Sequence, residues 1–194
     1  MAYDVVFDIE TKKSFDEVGG KDHFDKLGIS VVGAHTSVDD KYYAFEEHEI
    51  PEFEKMIKGA RCVIGFNIHH FDLPVLQPYV GWSLKTLNTL DLMDDVEKGA
   101  GFRISLDNLS DITLGARKSG DGMQALRWYK EGKIEEIKKY CLKDVELTKK
   151  LFEYGKKNGH VLFYSKHTGG RVAIPVGWSK MEAKLDIVKQ SSLF

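Results

Sequence analysis

Val5-Val6-Phe7-Asp8-Ile9-Glu10 is the stretch on which the reading of the whole chain turns. Its β-branched and aromatic residues predict a strand over Asp4 to Ile9. Side chains alternate along a strand, so Asp8 and Glu10 leave it on the same face. Two neighbouring carboxylates on an apolar core strand repel, and burying either one uncompensated is costly. A divalent cation removes the difficulty, because hard cations take carboxylate oxygens as ligands. The bland alternative is a frayed strand end with two solvated acids. The apolar character of the strand argues against an edge position.

Working outward, a polar, glycine-containing loop over Lys12 to Lys26 leads to a strand at Leu27 to His35. A third strand, Lys41 to Glu46, follows the turn Asp39-Asp40. A helix over Pro51 to Ala60 points Phe53, Met56, Ile57 and Ala60 inward. Arg61 to Phe66 reads as a buried strand, Asp72 to Tyr79 as a helix, and Thr86 to Leu92 as a short strand. Ser105 can cap a helix running to Leu114, and Met123 to Lys130 forms another. The longest helix covers Lys133 to about Lys156. Val161 to Tyr164 and Val172 to Val176 form a hairpin around Thr168-Gly169-Gly170, with Pro175 marking an edge strand. The expected class is α/β: a mixed sheet flanked by helices, with the C-terminal hairpin as an appendage.

Two further acidic contexts accompany the first. In Gly65-Phe66-Asn67-Ile68-His69-His70-Phe71-Asp72-Leu73-Pro74, a strand gives way to a helix. Asp72 suits either an N-cap or a site carboxylate, and Pro74 suits the first helical turn. A zinc reading of His69-His70 is disfavoured, since adjacent residues point apart and no partner at ligand spacing follows. The long helix carries an apolar stripe of Ile134, Ile137, Cys141, Val145, Thr148 and Phe152. Tyr140 and Asp144 stack one turn apart beside that stripe. Taken alone, they read as a packing aromatic and a solvated acid. Asp91, Asp94 and Asp95 form a rival acidic cluster after a strand.

The three contexts together resemble the three motifs of the DEDD superfamily of 3′-to-5′ exonucleases, which have a ribonuclease H-like fold. Asp8 and Glu10 match its D-x-E motif. Asn67 through Asp72 resemble its second motif, an Asn followed by an aromatic-Asp pair. Tyr140 and Asp144 match Y-x-x-x-D, the tyrosine form of the third. The sister branch carries His one residue further from the Asp, where this chain has Lys139. The likeness is to the exonuclease domain of family B DNA polymerases and small stand-alone relatives. It implies that Asp8, Glu10, Asp72 and Asp144 hold two divalent cations, magnesium or manganese, and that Tyr140 orients the attacking water. It implies 3′-to-5′ hydrolysis of DNA, with nucleoside 5′-monophosphates released. An exoribonuclease of the same fold and a catalytically inactive nucleic-acid-binding adaptor are the alternatives.

Around these motifs, Thr11, Lys12, Asn67 and Phe71 are candidate substrate contacts, and Lys13 also follows the first motif directly. Phe15, Phe24, Trp128 and Tyr129 are candidates for stacking on unpaired bases, though Trp128 at helical spacing suits the core. Arg103, Arg117, Lys118, Lys166, His167 and Arg171 could meet phosphates or simply be solvated.

The 194 residues suit one domain with a sizeable core, expected over residues 1–178, followed by a tail over 179–194. A net charge of −2 is unusual for a protein that grips duplex DNA by its backbone. It is tolerable where bound metals supply positive charge at the phosphate. Cys62 and Cys141 have no metal-type spacing and are expected to be free thiols of a reducing, cytoplasmic setting. With a core strand starting so early, no signal peptide is expected, and no run reaches membrane-spanning length. The final residues, Gln190-Ser191-Ser192-Leu193-Phe194, resemble the bacterial sliding-clamp-binding pentapeptide. Gln190, Leu193 and Phe194 are the expected partner contacts, with Ser191 in place of the usual Leu. A frayed end, or an apolar plug on the protein's own core, is the alternative.

Overall fold

The computed structural model describes residues 2–116 and 122–179. These divide into two compact units, residues 2–91 with 122–146, and residues 92–116 with 147–179. In the first unit, β1 (Asp4–Thr11) is followed by α1 (Phe15–Val18), β2 (Ile29–Thr36), β3 (Lys41–Glu46) and α2 (Ile50–Lys58). Then come β4 (Cys62–Gly65), α3 (Asp72–Leu76) and β5 (Thr89–Asp91). Next, α4 (Leu92–Ala100) and α5 (Leu106–Leu114) belong to the second unit. The helix α6 (Gly122–Lys130) and the start of α7 (Ile134–Asn158) belong to the first. The rest of α7, with β6 (His160–Ser165) and β7 (Gly170–Pro175), completes the second.

The five strands of the first unit lie in the order β3-β2-β1-β4-β5, with β1 at the centre. β1 runs antiparallel to β2 and parallel to β4, and β4 is parallel to β5. The sheet is therefore mixed, and the second unit holds the two-stranded antiparallel hairpin β6–β7.

Alternation on β1 sorts its residues between two faces. Val5, Phe7 and Ile9 bury against Phe53 and Ile57 of α2 and Val75 and Leu76 of α3. The Phe7 and Phe53 rings lie 5.5 Å apart. Each such fully buried side chain stabilises the fold by roughly 1.5–3 kcal/mol. Asp8 and Glu10 leave on the other face, opposite Gly33 and Val31 of β2. There Val31 packs with Ala125 of α6 and with Ile137, Tyr140 and Cys141 of α7. Helix α7 seats closely because β2 carries a glycine under it. A Cβ on Gly33 would lie 2.9 Å from Cys141 Sγ and 3.2 Å from Val145 Cγ2.

Three elements depart from the sequence expectation. The Lys12 to Lys26 loop holds the one-turn helix α1, closed by a reciprocal Ser14–Glu17 capping box and by Gly19 in the left-handed region. The helix expected over Asp72 to Tyr79 stops at Leu76 and continues as a 3-10 turn, Gln77–Tyr79. Pro78, lacking an amide donor, cannot extend the α-helical ladder. The rival acids Asp94 and Asp95 sit in the first turn of the unforeseen helix α4, where carboxylates suit the helix dipole.

In the second unit, Thr113 Oγ1 of α5 bridges both the amide and the carbonyl of Leu162 on β6, each at 2.9 Å. Trp178 is fully buried on Phe152, and its indole N–H donates to Asp95 Oδ2 at 3.1 Å. No helix among the described residues is long and apolar enough to cross a membrane. Arg117, Lys118 and the pentapeptide Gln190 to Phe194 lie outside the described residues.

Candidate active site

The centre strand and the long helix bring three acids together. Asp8 and Glu10, half-buried on β1, face α7, and Asp144 on that helix is buried. Asp8, Glu10 and Asp144 each offer a carboxylate oxygen, and these oxygens lie within 4.8 Å of one another. One turn earlier on α7, the Cys141 thiol donates to the Asp8 carbonyl at 3.3 Å and lies 3.5 Å from Asp8 Oδ2. Burial, and then the charges of Asp8, Glu10 and Asp144, push this thiol's pKa well up. It stays protonated, so the donor set is all carboxylate oxygen. Such a set fits a hard divalent cation of the magnesium or manganese kind and not a thiolate-seeking metal.

Asp72 arrives from the adjacent strand connection. Beside β1, the pairing with β4 covers only Asp4 to Val6. Further along, the free edge of β1 is met by a side chain: Ile9 N–H donates to Asp72 Oδ1 at 2.8 Å. Asp72 is the first residue of α3, and the helix-cap position falls on Phe71, so this carboxylate does not cap its own helix. It is 3 % exposed. Burial, and then the negative charge of Asp8, raise its pKa well above 3.8, partly offset by the Ile9 amide. The site therefore holds more negative charge than its surroundings favour, the condition a bound cation relieves.

The loop that delivers Asp72 is built on two tight contacts. A Cβ on Gly65 would fall 2.1 Å from Ile68 Cγ2 and 3.1 Å from the Phe7 carbonyl, so only glycine lets this strand end close on β1. Asn67 then takes a left-handed turn at φ 70, which asparagine tolerates better than most residues. Asp91, register partner of Gly65 at the end of β5, holds that turn. Its Oδ1 accepts from Asn67 N at 2.7 Å and its Oδ2 from His69 N at 2.9 Å. Sequence reasoning saw Asp91 as a rival acid that could come near the site, with Asp72 the better ligand. Its work as a backbone clamp depends on a parallel register that no local pattern reveals.

The other expected contacts are distributed as follows. Tyr140 is buried one turn before Asp144, its ring edge-on at 6.0 Å to Trp128, which packs partly buried against the core. Lys12 pairs with Glu47 and lies over the Tyr129 ring at 5.7 Å. Glu47 also accepts from the Tyr79 hydroxyl at 2.6 Å. The Lys12 ammonium is thus directed to Glu47 and not to the carboxylate cluster. Thr11 is buried, and its hydroxyl donates to the Lys13 carbonyl at 3.0 Å. Phe71 packs edge-on against Phe15 at 6.0 Å, and Phe15 against Phe24 at 5.2 Å, which gathers two candidate stacking rings and the candidate contact Phe71 into one cluster. The His69 ring meets the Thr89 hydroxyl at 2.8 Å.

Comparison with known proteins agrees with this architecture. The family model of the RNase H superfamily matches residues 5–156, a span that contains every acid of the cluster. Among solved structures, a family B DNA polymerase from the hyperthermophilic archaeon Pyrobaculum calidifontis superposes with a TM-score of 0.61 at 20% sequence identity. The match covers 80% of this chain and 24% of the polymerase, so this chain spans about a quarter of that protein's length. At that identity the likeness speaks to fold. A search of curated proteins finds no match.

Proposed function

The chain belongs to the RNase H superfamily, and we propose that it is a metal-dependent 3′-to-5′ exonuclease of the DEDD tyrosine branch that acts on DNA ends. The observation that carries the reading is the convergence of Asp8, Glu10 and Asp144 within 4.8 Å, with buried Asp72 electrostatically coupled to Asp8. Asp8, Glu10 and Asp144 would hold one divalent cation, and Asp8 with Asp72 would support a second. Bound there, the cations would supply charge stabilisation for the attacking and leaving oxygens of the scissile phosphate. The chain's own contribution is position. The Ile9 amide fixes one Asp72 oxygen, and Cys141 fixes the backbone of Asp8. Tyr140, whose ring lies edge-on to Trp128 one turn from Asp144, would orient a water. Much of the rate then comes from preorganised geometry and electrostatics.

The deciding assay uses matched, end-labelled single-stranded DNA and RNA with magnesium, manganese or EDTA. DNA should be shortened from its 3′ end to nucleoside 5′-monophosphates only with metal, and a 3′-blocked strand should resist. Preferential RNA cleavage would move the reading to an exoribonuclease. Cutting of closed circles would make it an endonuclease, and inertness with every metal would leave an adaptor.

The roles on α7 separate by mutation. Tyr140→Phe should slow cleavage while manganese affinity survives, because the phenol is not a ligand. Asp144→Ala should lose both. Isothermal titration with manganese checks this, and equal loss of affinity in the two variants would overturn the division.

The same reading extends to residues 179–194 as a tail. The pentapeptide Gln190 to Phe194 would dock on a bacterial-type sliding clamp and raise the enzyme's local concentration at DNA ends. Removing the last five residues should leave cleavage of free oligonucleotides intact and abolish clamp association. Leu193 and Phe194 should dominate that loss as apolar anchors. Failure of the full-length chain to bind immobilised clamp at roughly tens of micromolar would end this part of the proposal.

A further inference from the structure

The second unit contains a groove of about 340 Å³ that the catalytic reading does not use. It lies where the segment before α5 meets the β6–β7 turn, and its lining includes Phe102, Arg103, Asn108, Tyr164, Lys166 and His167. Phe102 is 51% exposed and Tyr164 44% exposed, so two of the most exposed large hydrophobic residues of the described chain share one groove. The Phe102 ring and the Tyr164 backbone are both held in place. Phe102 rests edge-on against buried Phe163 at 5.7 Å. The backbone amide of Tyr164 donates to Asn108 Oδ1 at 3.1 Å, and Thr113 ties the neighbouring Leu162 to α5. One aromatic wall and the backbone bearing the other are thus preset, which lowers the ordering cost of a ligand.

The ionisable side chains that line the groove beside those rings are basic. Arg103, Lys166 and His167 line the groove, and no Asp or Glu is among its described lining residues. The Arg103 guanidinium lies 3.8 Å from the Glu97 carboxylate and donates to Met93 Sδ from Nε at 2.9 Å and Nη2 at 2.7 Å. In a chain of net charge −2, a groove with this balance is a local exception. Exposed flat rings interleaved with cations are the chemistry that receives unpaired bases and their phosphates. An apolar protein partner would have to desolvate Arg103 and Lys166 with no acceptor of its own to offer them.

We propose that this groove binds a single-stranded polynucleotide segment, with bases against Phe102 and Tyr164 and phosphates on Lys166 and Arg103. The class of ligand rests on the nuclease reading, but the site does not depend on catalysis, and its test is run with metal withheld. Fluorescein-labelled dT12 and rU12 are titrated in EDTA and followed by anisotropy, with melting temperature recorded for every variant.

Phe102→Ala and Tyr164→Ala should each weaken binding roughly tenfold. Phe102→Leu, which keeps an apolar cover over Phe163, should weaken it as well without lowering the melting temperature. Lys166→Gln should reduce the slope of log affinity against log salt by about one. An abasic dodecamer should bind more weakly than dT12. Three results would overturn the inference: no binding by the wild type, unchanged affinity in the aromatic variants, or equal affinity for the abasic strand. Loss of the nuclease reading is scored separately, by absence of cleavage with magnesium or manganese while EDTA-phase binding and its dependence on Phe102 persist.

Discussion

Asp8→Asn should reduce cleavage by at least on the order of 10²–10³-fold while leaving the fold intact. The substitution keeps the shape of the side chain and removes one negative charge from a site whose charges repel. Asp8 is the residue that couples to both Asp72 and the Cys141 thiol. In the variant the second cause of the raised Asp72 pKa disappears, leaving burial and the smaller effect of the Asp91 charge. The sign for stability follows from proton linkage. An acid whose folded pKa lies above its unfolded value destabilises the fold as pH rises from the unfolded value through the folded one. Without metal, the wild type should therefore lose stability above about pH 4, the ordinary carboxylate range. Asp8→Asn should lose less. The gap between the two proteins should vanish in acid and open as pH rises. Differential scanning calorimetry in EDTA across that range measures it. A variant that melts well below the wild type at neutral pH would show that Asp8 is structural. A variant that cleaves DNA at the wild-type rate would remove it from the site.

The parts of this arrangement that were legible in the sequence are the parts governed by local period. Alternation on Val5 to Glu10 put both acids on one face, and the β2 register places that face under α7. The helical stripe of Ile137, Cys141 and Val145 foretold which side of α7 is buried, and all three are fully buried. Tyr140 and Asp144 lie beside that stripe and are buried with it. The C-terminal hairpin was readable from its turn residues, and Pro175 does close an edge strand.

What remained hidden is nonlocal or was outweighed by a neighbouring signal. The capping box of α1 was present in Ser14 and Glu17, but Gly19 and Gly20 made the segment read as loop. Gly33 gives no local sign that a helix more than a hundred residues later will press against it. Lys12 follows the first motif directly, yet its partner Glu47 comes from the far side of two strands. The sequence reading weighed Asp72 as a helix cap or a site acid. The structure gives it a third contact, the Ile9 amide, visible only once β1 and α3 are in place.

Asp91→Ala should be among the most damaging single changes outside the carboxylate cluster. Asp91 is 2 % exposed and accepts two backbone hydrogen bonds, from Asn67 and His69. Deleting the carboxylate leaves both amides without this acceptor, and a bond to a charged acceptor is worth about 1.5–3 kcal/mol. The expected loss is about 3–5 kcal/mol, a fall in melting temperature on the order of 10 °C. The damage should also travel along the chain. Asn67 in its left-handed turn and Ile68 beneath Gly65 lead within a few residues to Asp72. With the clamp gone, Asp72 is no longer held against the Ile9 amide, and cleavage should fall further than the lost stability explains. Asp91→Asn, which keeps one acceptor oxygen, should lie between the wild type and Ala in both respects. Amide hydrogen exchange at Asn67, His69 and Ile9 reads the clamp directly and needs neither metal nor substrate. Faster exchange at Asn67 and His69 with Ile9 unchanged would show that Asp91 holds its own loop and does not position Asp72. Unchanged exchange at all three would remove Asp91 from the site's support altogether.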